Sequence, residues 1–269
     1  MAWEECLKLV TWNINSVRLR KGLVRRLLRQ EQPDVVALQE IKVVNDLFPA
    51  RAFAELGYVH QAVHGQKGYH GVAILSRLAF REQRATQFCG KDDCRHMRVV
   101  LQNSVELHNF YVPAGGDIPD PAKNPKFAHK LAFLGEMRAM FEARDRAAPV
   151  ILVGDLNVAP LQNDVWSHAR LLGVVSHTPV ETALLGEVKA AFDWTDVTRQ
   201  FVDAEEKIYS WWSYRAGDWR KSDRGRRLDH IWTSPGLKGA ARAHRILKNL
   251  RGWKQASDHV PVVAEFDVT

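Results

Sequence analysis

Polar side chains able to act on a phosphate stand at the ends of apolar runs throughout this chain. In Pro149-Val150-Ile151-Leu152-Val153-Gly154-Asp155-Leu156-Asn157, four apolar residues lead into a glycine, then a carboxylate and an amide two positions apart. The apolar run reads as a short buried strand. Gly154 permits a turn that a Cβ would resist, and Asp155 and Asn157 project to one side in extended backbone. Taken alone, this is also what an Asp/Asn turn capping its own backbone looks like. The arrangement recurs, however, at Asn13, Glu40, Tyr111 and Asp258-His259, and Asp229 lies on a further strand. Each again has a structural alternative: Asn13 could cap the next helix, Tyr111 could be a rim aromatic and Asp258 a turn residue. Taken together, two or three carboxylates with an amide form a hard oxygen-donor set suited to Mg²⁺. A histidine with its own carboxylate adds machinery for phosphoryl transfer.

The elements that must position these residues alternate in type. Strands are expected at 7–12, 35–38, 58–63, 71–76, 105–111, 150–153, 227–232 and 260–266, and helices at 17–30, 127–146, 181–191 and 194–201. In the first helix Leu23, Val24, Leu27 and Leu28 form one stripe and Pro33 stops the run. A glycine-rich turn, Gly65-Gln66-Lys67-Gly68, joins a strand pair. Strand–helix alternation predicts an α/β fold, and the hairpin-like pairs predict mixed sheets. Sheet ends are where such folds assemble sites.

The chain has 269 residues and shows no repeat or linker, so one domain spanning 1–269 is expected. No apolar run reaches bilayer-spanning length, and the first residues lack a signal-peptide pattern. Cys6, Cys89 and Cys94 are too few and odd in number for a disulfide framework. They read as ordinary thiols in a reducing cytosol, and no second pair completes a zinc site around Cys89 and Cys94. A formal net charge of +7 favours a polyanionic partner, with a merely basic surface as the alternative.

One loop concentrates that charge. Arg215, Arg220, Lys221, Arg224, Arg226 and Arg227 are interleaved with or beside Trp211, Trp212, Tyr214 and Trp219, with Asp218 and Asp223 as partial offsets. Basic side chains take backbone phosphates, while aromatics stack on bases or wedge into a distorted duplex. The alternative is a solvated basic loop over an aromatic core.

These motifs together resemble the exonuclease III family of apurinic/apyrimidinic endonucleases, within the endonuclease/exonuclease/phosphatase superfamily. The resemblance rests on Thr11-Trp12-Asn13-Ile14-Asn15, Leu38-Gln39-Glu40-Ile41-Lys42, Gly65-Gln66-Lys67-Gly68, Tyr111-Val112-Pro113, Gly154-Asp155-Leu156-Asn157, Arg227-Leu228-Asp229 and Ser257-Asp258-His259-Val260-Pro261. It implies a four-layer α/β sandwich, two mixed sheets face to face with helices outside, as in DNase I. By the same resemblance Glu40 is the main metal carboxylate, with Asn13 and Asp258 near the metal. Asp155 orients or deprotonates the attacking water, Asn157 and Tyr111 hold the scissile phosphate, and His259, backed by Asp229, contacts a non-bridging oxygen. The metal is expected to be Mg²⁺, with Mn²⁺ as substitute. Trp211 falls where the family lines a pocket for a flipped-out, base-less sugar, and Lys42, Lys67 and Arg18 are read as backbone contacts.

Two positions depart from the pattern. Ala114 stands where close relatives carry a phosphate-binding amide, and Arg226 stands where the sugar pocket often has an apolar wall. The expected function is Mg²⁺-dependent hydrolysis of duplex DNA 5′ of abasic sites, with removal of nucleotides or blocking groups from 3′ ends. The expected enzyme is a cytoplasmic, nucleoid-associated monomer with no membrane partner. The competing readings are a phosphatase or phosphodiesterase acting on lipid head groups or small phosphoesters, and a non-catalytic DNA-binding module.

Overall fold

The computed structural model describes residues 6–268. Strands are β1 (Cys6–Asn13), β2 (Val35–Gln39), β3 (His60–His64), β4 (Val72–Ser76), β5 (Phe80–Ala85), β6 (His96–Leu101), β7 (Glu106–Tyr111) and β8 (Val150–Asp155). They continue with β9 (Thr195–Asp196), β10 (Trp211–Trp212), β11 (Gly225–Arg226), β12 (Asp229–Thr233), β13 (Ala241–Ile246) and β14 (Val262–Asp267). Helices are α1 (Val17–Glu31), α2 (Ala50–Ala54), α3 (Pro125–Glu142), α4 (His168–Leu171), α5 (Pro179–Ala191), α6 (Val197–Phe201) and α7 (Trp219–Ser222).

One sheet runs β13-β14-β1-β2-β4-β3 and the other β5-β6-β7-β8-β12-β9, while β10 and β11 form a small ribbon. Each large sheet has one parallel pair, β1 with β2 and β7 with β8, in an otherwise antiparallel order. Leu9, Val35, Ile74 and Val262 of the first sheet meet Val99, Leu107, Ile151 and Ile231 of the second in a buried apolar layer. Val24, Leu27 and Leu28 of α1 cover the outer face of the first sheet on Val10, Val36 and Leu38. Phe133, Leu134 and Met137 of α3, with Leu185 and Val188 of α5, cover the second on Phe110, Val150 and Leu152. This is the expected four-layer sandwich of two mixed sheets with helices outside.

The register carries the functional end. Tyr111, Asp155 and Asp229 lie side by side across β7, β8 and β12, and Asn13 pairs with Gln39 at the matching end of the first sheet. Gly154 (φ 141°) lets β7 come close, since a Cβ there would lie 1.9 Å from the Phe110 carbonyl oxygen. Across the core, Gln39 Nε2 donates to Asn109 Oδ1 at 2.7 Å, and Asn109 Nδ2 donates to the Leu38 and Ala73 carbonyls at 3.0 Å each. This buried polar bridge ties the sheets together just behind the site.

Several elements differ from the sequence reading. Strands β5, β6 and β13 were not anticipated. β5 and β13 are sheet edges rich in charged residues, which suppresses the apolar signature. The expected helix 194–201 begins only at Val197, because Trp194 is buried and Thr195–Asp196 pair with β12. The long helix ends at Glu142 rather than near 146.

Candidate active site

Asn13 is the hinge of the site. It is fully buried, and its Nδ2 donates to Glu40 Oε1 at 2.9 Å and to Asp155 Oδ2 at 2.8 Å. One amide thus joins a carboxylate from each sheet and offsets the repulsion between them. Asn13 Oδ1 accepts from the Asn15 backbone N–H. The amide therefore turns its nitrogen to the carboxylates, which gives Asn13 a positioning role beside the expected metal carboxylate. Lys42 Nζ reaches Glu40 Oε2 at 2.7 Å and Asn15 Oδ1 at 2.6 Å. Burial raises the Glu40 acid, but the Lys42 charge and these hydrogen bonds outweigh it and hold the pKa below the ordinary value. Lys42 is thus engaged inside the site rather than held free for a distant phosphate.

His259 sits between two carboxylates. Nδ1 lies 2.8 Å from Asp229 Oδ2, and Nε2 lies 3.6 Å from Asp155 Oδ2. Burial opposes the imidazolium, yet Asp229, Asp155 and Asp258 together raise its pKa well above the usual range. It therefore stands protonated at neutral pH, with Nδ1–H donated to Asp229 and Nε2–H free for an oxyanion. Its backbone is pinned to the first sheet: Trp12 Nε1 donates to the His259 carbonyl at 3.1 Å, and Ser257 Oγ donates to the Asn13 carbonyl at 2.7 Å.

Asp155 is fully buried, and burial raises its pKa, opposed by the His259 charge. A carboxylate so raised is better matched to taking a proton near neutral pH. Asn157 has φ 52°, uncommon for a residue with a side chain. Its backbone N–H donates to Asp155 Oδ1 at 3.0 Å, and its Nδ2 donates to the Val112 carbonyl at 2.8 Å. Glu40 (φ 51°), Asn15 (φ 45°) and Lys42 (φ 53°) share this left-handed conformation, a concentration of strain typical of functional sites. Tyr111 is buried against the Arg95 guanidinium, 4.8 Å from the ring centre. Burial, with Glu40 and Asp155 nearby, pushes its phenol well above the ordinary pKa, so the hydroxyl remains a donor.

A cleft opens over this end of the sheets. Its lining includes Glu40, Tyr111, Asn157, Trp211, Asp258 and His259. Trp211 Nε1 donates to Asp258 Oδ2 at 3.0 Å, and Asn15 Nδ2 donates to Asp258 Oδ1 at 3.0 Å. Ligand atoms of Glu40, Asp155 and His259 all lie within 4.8 Å of one another. The two carboxylates suit a hard divalent cation.

The basic loop is only partly a free surface. Arg215, Lys221 and Arg224 are exposed, as are Arg18 on the first turn of α1 and Lys67 between β3 and β4. Arg220 is exposed as well but lies over the Trp219 ring and against Gly252, and Arg224 lies over the Trp166 ring. Trp212 is 1% exposed, packs with Tyr209 and Val260, and gives its Nε1–H to Asp223 at 2.9 Å. Its expected DNA-binding role is corrected: it is a core residue under the loop. Arg227 is also buried, neutralised by Asp164 and Asp196 at 2.8 Å each.

Sequence reasoning missed Lys130 and Glu181. Lys130 Nζ, fully buried, is paired with Glu181 and donates to the Asn157 carbonyl at 2.7 Å. The available signal was spacing, since Phe127, Lys130, Leu134, Met137 and Phe141 share the buried stripe of α3. The Thr178-to-Glu181 capping box marked the partner.

The profile of the endonuclease/exonuclease/phosphatase family matches residues 10–259. The chain is 30% identical over 274 residues to exodeoxyribonuclease III of Haemophilus influenzae, covering 97% of this chain and all of that protein. It is 27% identical to an exodeoxyribonuclease of Bacillus subtilis, covering 95% of this chain and 98% of that one. An AP endonuclease structure from Archaeoglobus fulgidus superposes with a TM-score of 0.90 at 30% identity, over 97% of this chain and all of that one. The 3′ phosphatase NExo from Neisseria, solved with a product DNA hairpin, superposes with a TM-score of 0.86 at 30% identity, over 97% and 99%. With its buried carboxylate–imidazole constellation and a family match over most of its length, the chain belongs to the endonuclease/exonuclease/phosphatase family.

Proposed function

We propose that this chain is a DNA repair phosphodiesterase of the exodeoxyribonuclease III kind, cutting duplex DNA 5′ of abasic sites and removing nucleotides or blocking groups from 3′ ends. The observation that carries the reading is the His259 ring placed between Asp229 and Asp155 at the mouth of the cleft, a setting that favours its charged form. A fixed cation there stabilises charge building on phosphorus, and does so without reorganisation. Asp155 orients the attacking water or takes its proton. Asn157 and the Tyr111 hydroxyl hold non-bridging oxygens. Asn13 keeps Asp155 and Glu40 at a fixed separation. Glu40 suits Mg²⁺, with Mn²⁺ as substitute and Asn13 and Asp258 near the same site; when bound, the ion would neutralise phosphate charge and stabilise the leaving oxygen. The net charge of +7 and the exposed Arg215, Lys221 and Arg224 fit a duplex backbone. Among the described residues no helix is long and apolar enough to cross a membrane. The reading extends to one catalytic domain, acting as a monomer in the cytoplasm beside the nucleoid.

A single gel tests this. An internally abasic duplex and a recessed 3′-end duplex are incubated with and without Mg²⁺, beside a panel of inositol phosphates. Metal-dependent cutting of both duplexes is expected. Turnover of inositol phosphates with both duplexes left intact would move the chain to a phosphatase branch of the family.

A further inference from the structure

Arg226 and Arg227 are adjacent, yet their charges are treated in opposite ways. Arg227 is matched by two aspartates. Arg226 lines the catalytic cleft, half-buried, and among the described residues no carboxylate pairs with it. Its Nη1 donates to two neutral oxygens, the Val175 carbonyl at 3.0 Å and Ser176 Oγ at 2.7 Å. Its guanidinium carbon lies 5.2 Å from the Trp211 ring centre. Nε is buried without an acceptor, and Nη2 makes no hydrogen bond among the described residues. Burial lowers its pKa, only partly offset by Glu181. Keeping a half-desolvated cation without a counter-charge is costly, and a guanidinium held over an indole and hydrogen-bonded to Val175 and Ser176 does not swing out to solvent freely. A cation fixed this way is complete only with an anionic ligand.

This cation lines the same cleft as Asn157, Tyr111 and His259, and Trp211, its partner across the ribbon, bridges in turn to His259. Whatever the reacting phosphorus carries on that side meets either a neutral sugar environment or a charge. A base-less sugar offers no anion to Arg226. A phosphate that ends the strand offers one more unesterified oxygen and carries a second negative charge. We propose that Arg226 forms an anion subsite selecting strands that end in a 3′-phosphomonoester over those whose scissile phosphate bears a further sugar. The assignment rests on the nuclease reading above and names the substrate end that its cleft favours. In that reaction a water oxygen bonds to phosphorus as the P–O3′ bond breaks. The 3′ oxygen leaves with a proton, and inorganic phosphate is released.

The test compares wild type with Arg226→Leu and Arg226→Lys on three duplexes: a recessed 3′-phosphate end, a recessed 3′-hydroxyl end and an internal abasic site. Losing one charge-assisted hydrogen bond should lower kcat/KM on the 3′-phosphate end about 10- to 100-fold in Arg226→Leu. Incision of the abasic site should hold or rise, because the new wall is apolar. Arg226→Lys, which keeps the charge, should fall between the two and covers the case that the leucine variant folds poorly. Equal losses on all three duplexes, or an unchanged rate on the 3′-phosphate end, would overturn the assignment. A binding arm in EDTA separates it from the nuclease reading. Wild type should hold a 3′-phosphate hairpin more tightly than its 3′-hydroxyl twin by fluorescence anisotropy, and Arg226→Leu should lose that preference. A wild type that cuts none of the duplexes refutes the nuclease reading, while the anisotropy preference alone still decides the anion subsite.

Discussion

Lys130 Nζ, with no solvent exposure, donates to the Asn157 carbonyl oxygen at 2.7 Å. Asn157 needs that anchor because its left-handed backbone turns the amide back toward Asp155. Glu181 completes the device: it pairs with Lys130 and accepts from the Ser176 and Thr178 backbone N–H groups. The helices α3 and α5 thus set the orientation of the Asn157 amide from behind.

Lys130→Met should therefore strand the Glu181 carboxylate in a dry site, at a cost of about 3–5 kcal/mol. Replacing both partners, Lys130→Met with Glu181→Leu, should recover much of that stability but not the rate, since the Asn157 carbonyl stays unanchored. Urea unfolding and steady-state turnover of the single and double variants check both halves. A double variant with wild-type turnover would show that Asn157 holds its turn unaided.

Asp155→Asn keeps the shape of the side chain but cannot take a proton. The rate at saturating DNA should fall about 10²-fold or more. DNA affinity should hold or rise, because a negative charge near the phosphate is gone. Single-turnover kinetics and equilibrium binding separate these effects. Weakened affinity with an intact saturated rate would assign Asp155 to binding instead.

Much of this site was legible because strand ends are punctuated in sequence: an apolar run followed by a polar pair marks where a sheet opens. Asn13, Glu40 and Asp155 carry that mark at the ends of β1, β2 and β8, and Asp258-His259 reach the same end from the start of β14, which runs antiparallel to β1. Two kinds of fact were not legible. Orientation was one: nothing in the types of Asn13 or Lys42 says which atom faces which partner. Burial within a mixed run was the other. Trp211-Trp212 and Arg226-Arg227 are like residues in tandem; the antiparallel ribbon β10–β11 holds Trp211, Trp212 and Arg226, Arg227 follows it directly, and successive side chains go alternately to cleft and core. Period-two alternation decides which member of each pair can touch a ligand, and the ribbon is too short for its pattern to announce itself.

The exposed cations make a salt-dependence prediction. Removing one phosphate-binding charge should reduce the slope of log affinity against log salt by about one. Neutralising Arg215, Lys221 and Arg224 together should flatten the slope and weaken binding to any duplex sequence alike. Arg220→Ala should do less to the slope and more to the fold, since its side chain packs on Trp219 and Gly252. A triple variant with the wild-type slope would place this loop away from DNA.

The tandem tryptophans should separate function from stability in neighbouring positions. Trp212 is sealed among Tyr209, Trp219 and Val260, so Trp212→Ala opens a cavity and should cost about 3–5 kcal/mol. Trp211 is half-buried, faces the cleft, supports the Arg226 guanidinium and hydrogen-bonds Asp258. Trp211→Phe keeps a ring under the guanidinium but removes the N–H that fixes Asp258. It should leave the melting temperature close to wild type while lowering turnover on every DNA substrate. Trp211→Ala removes the platform as well, so the preference for one kind of strand end should blur in addition. Melting curves and turnover on abasic and 3′-end duplexes for the three variants decide the matter. If Trp211→Phe melted as low as Trp212→Ala, the two indoles would share one structural task and the cleft-facing role of Trp211 would fall.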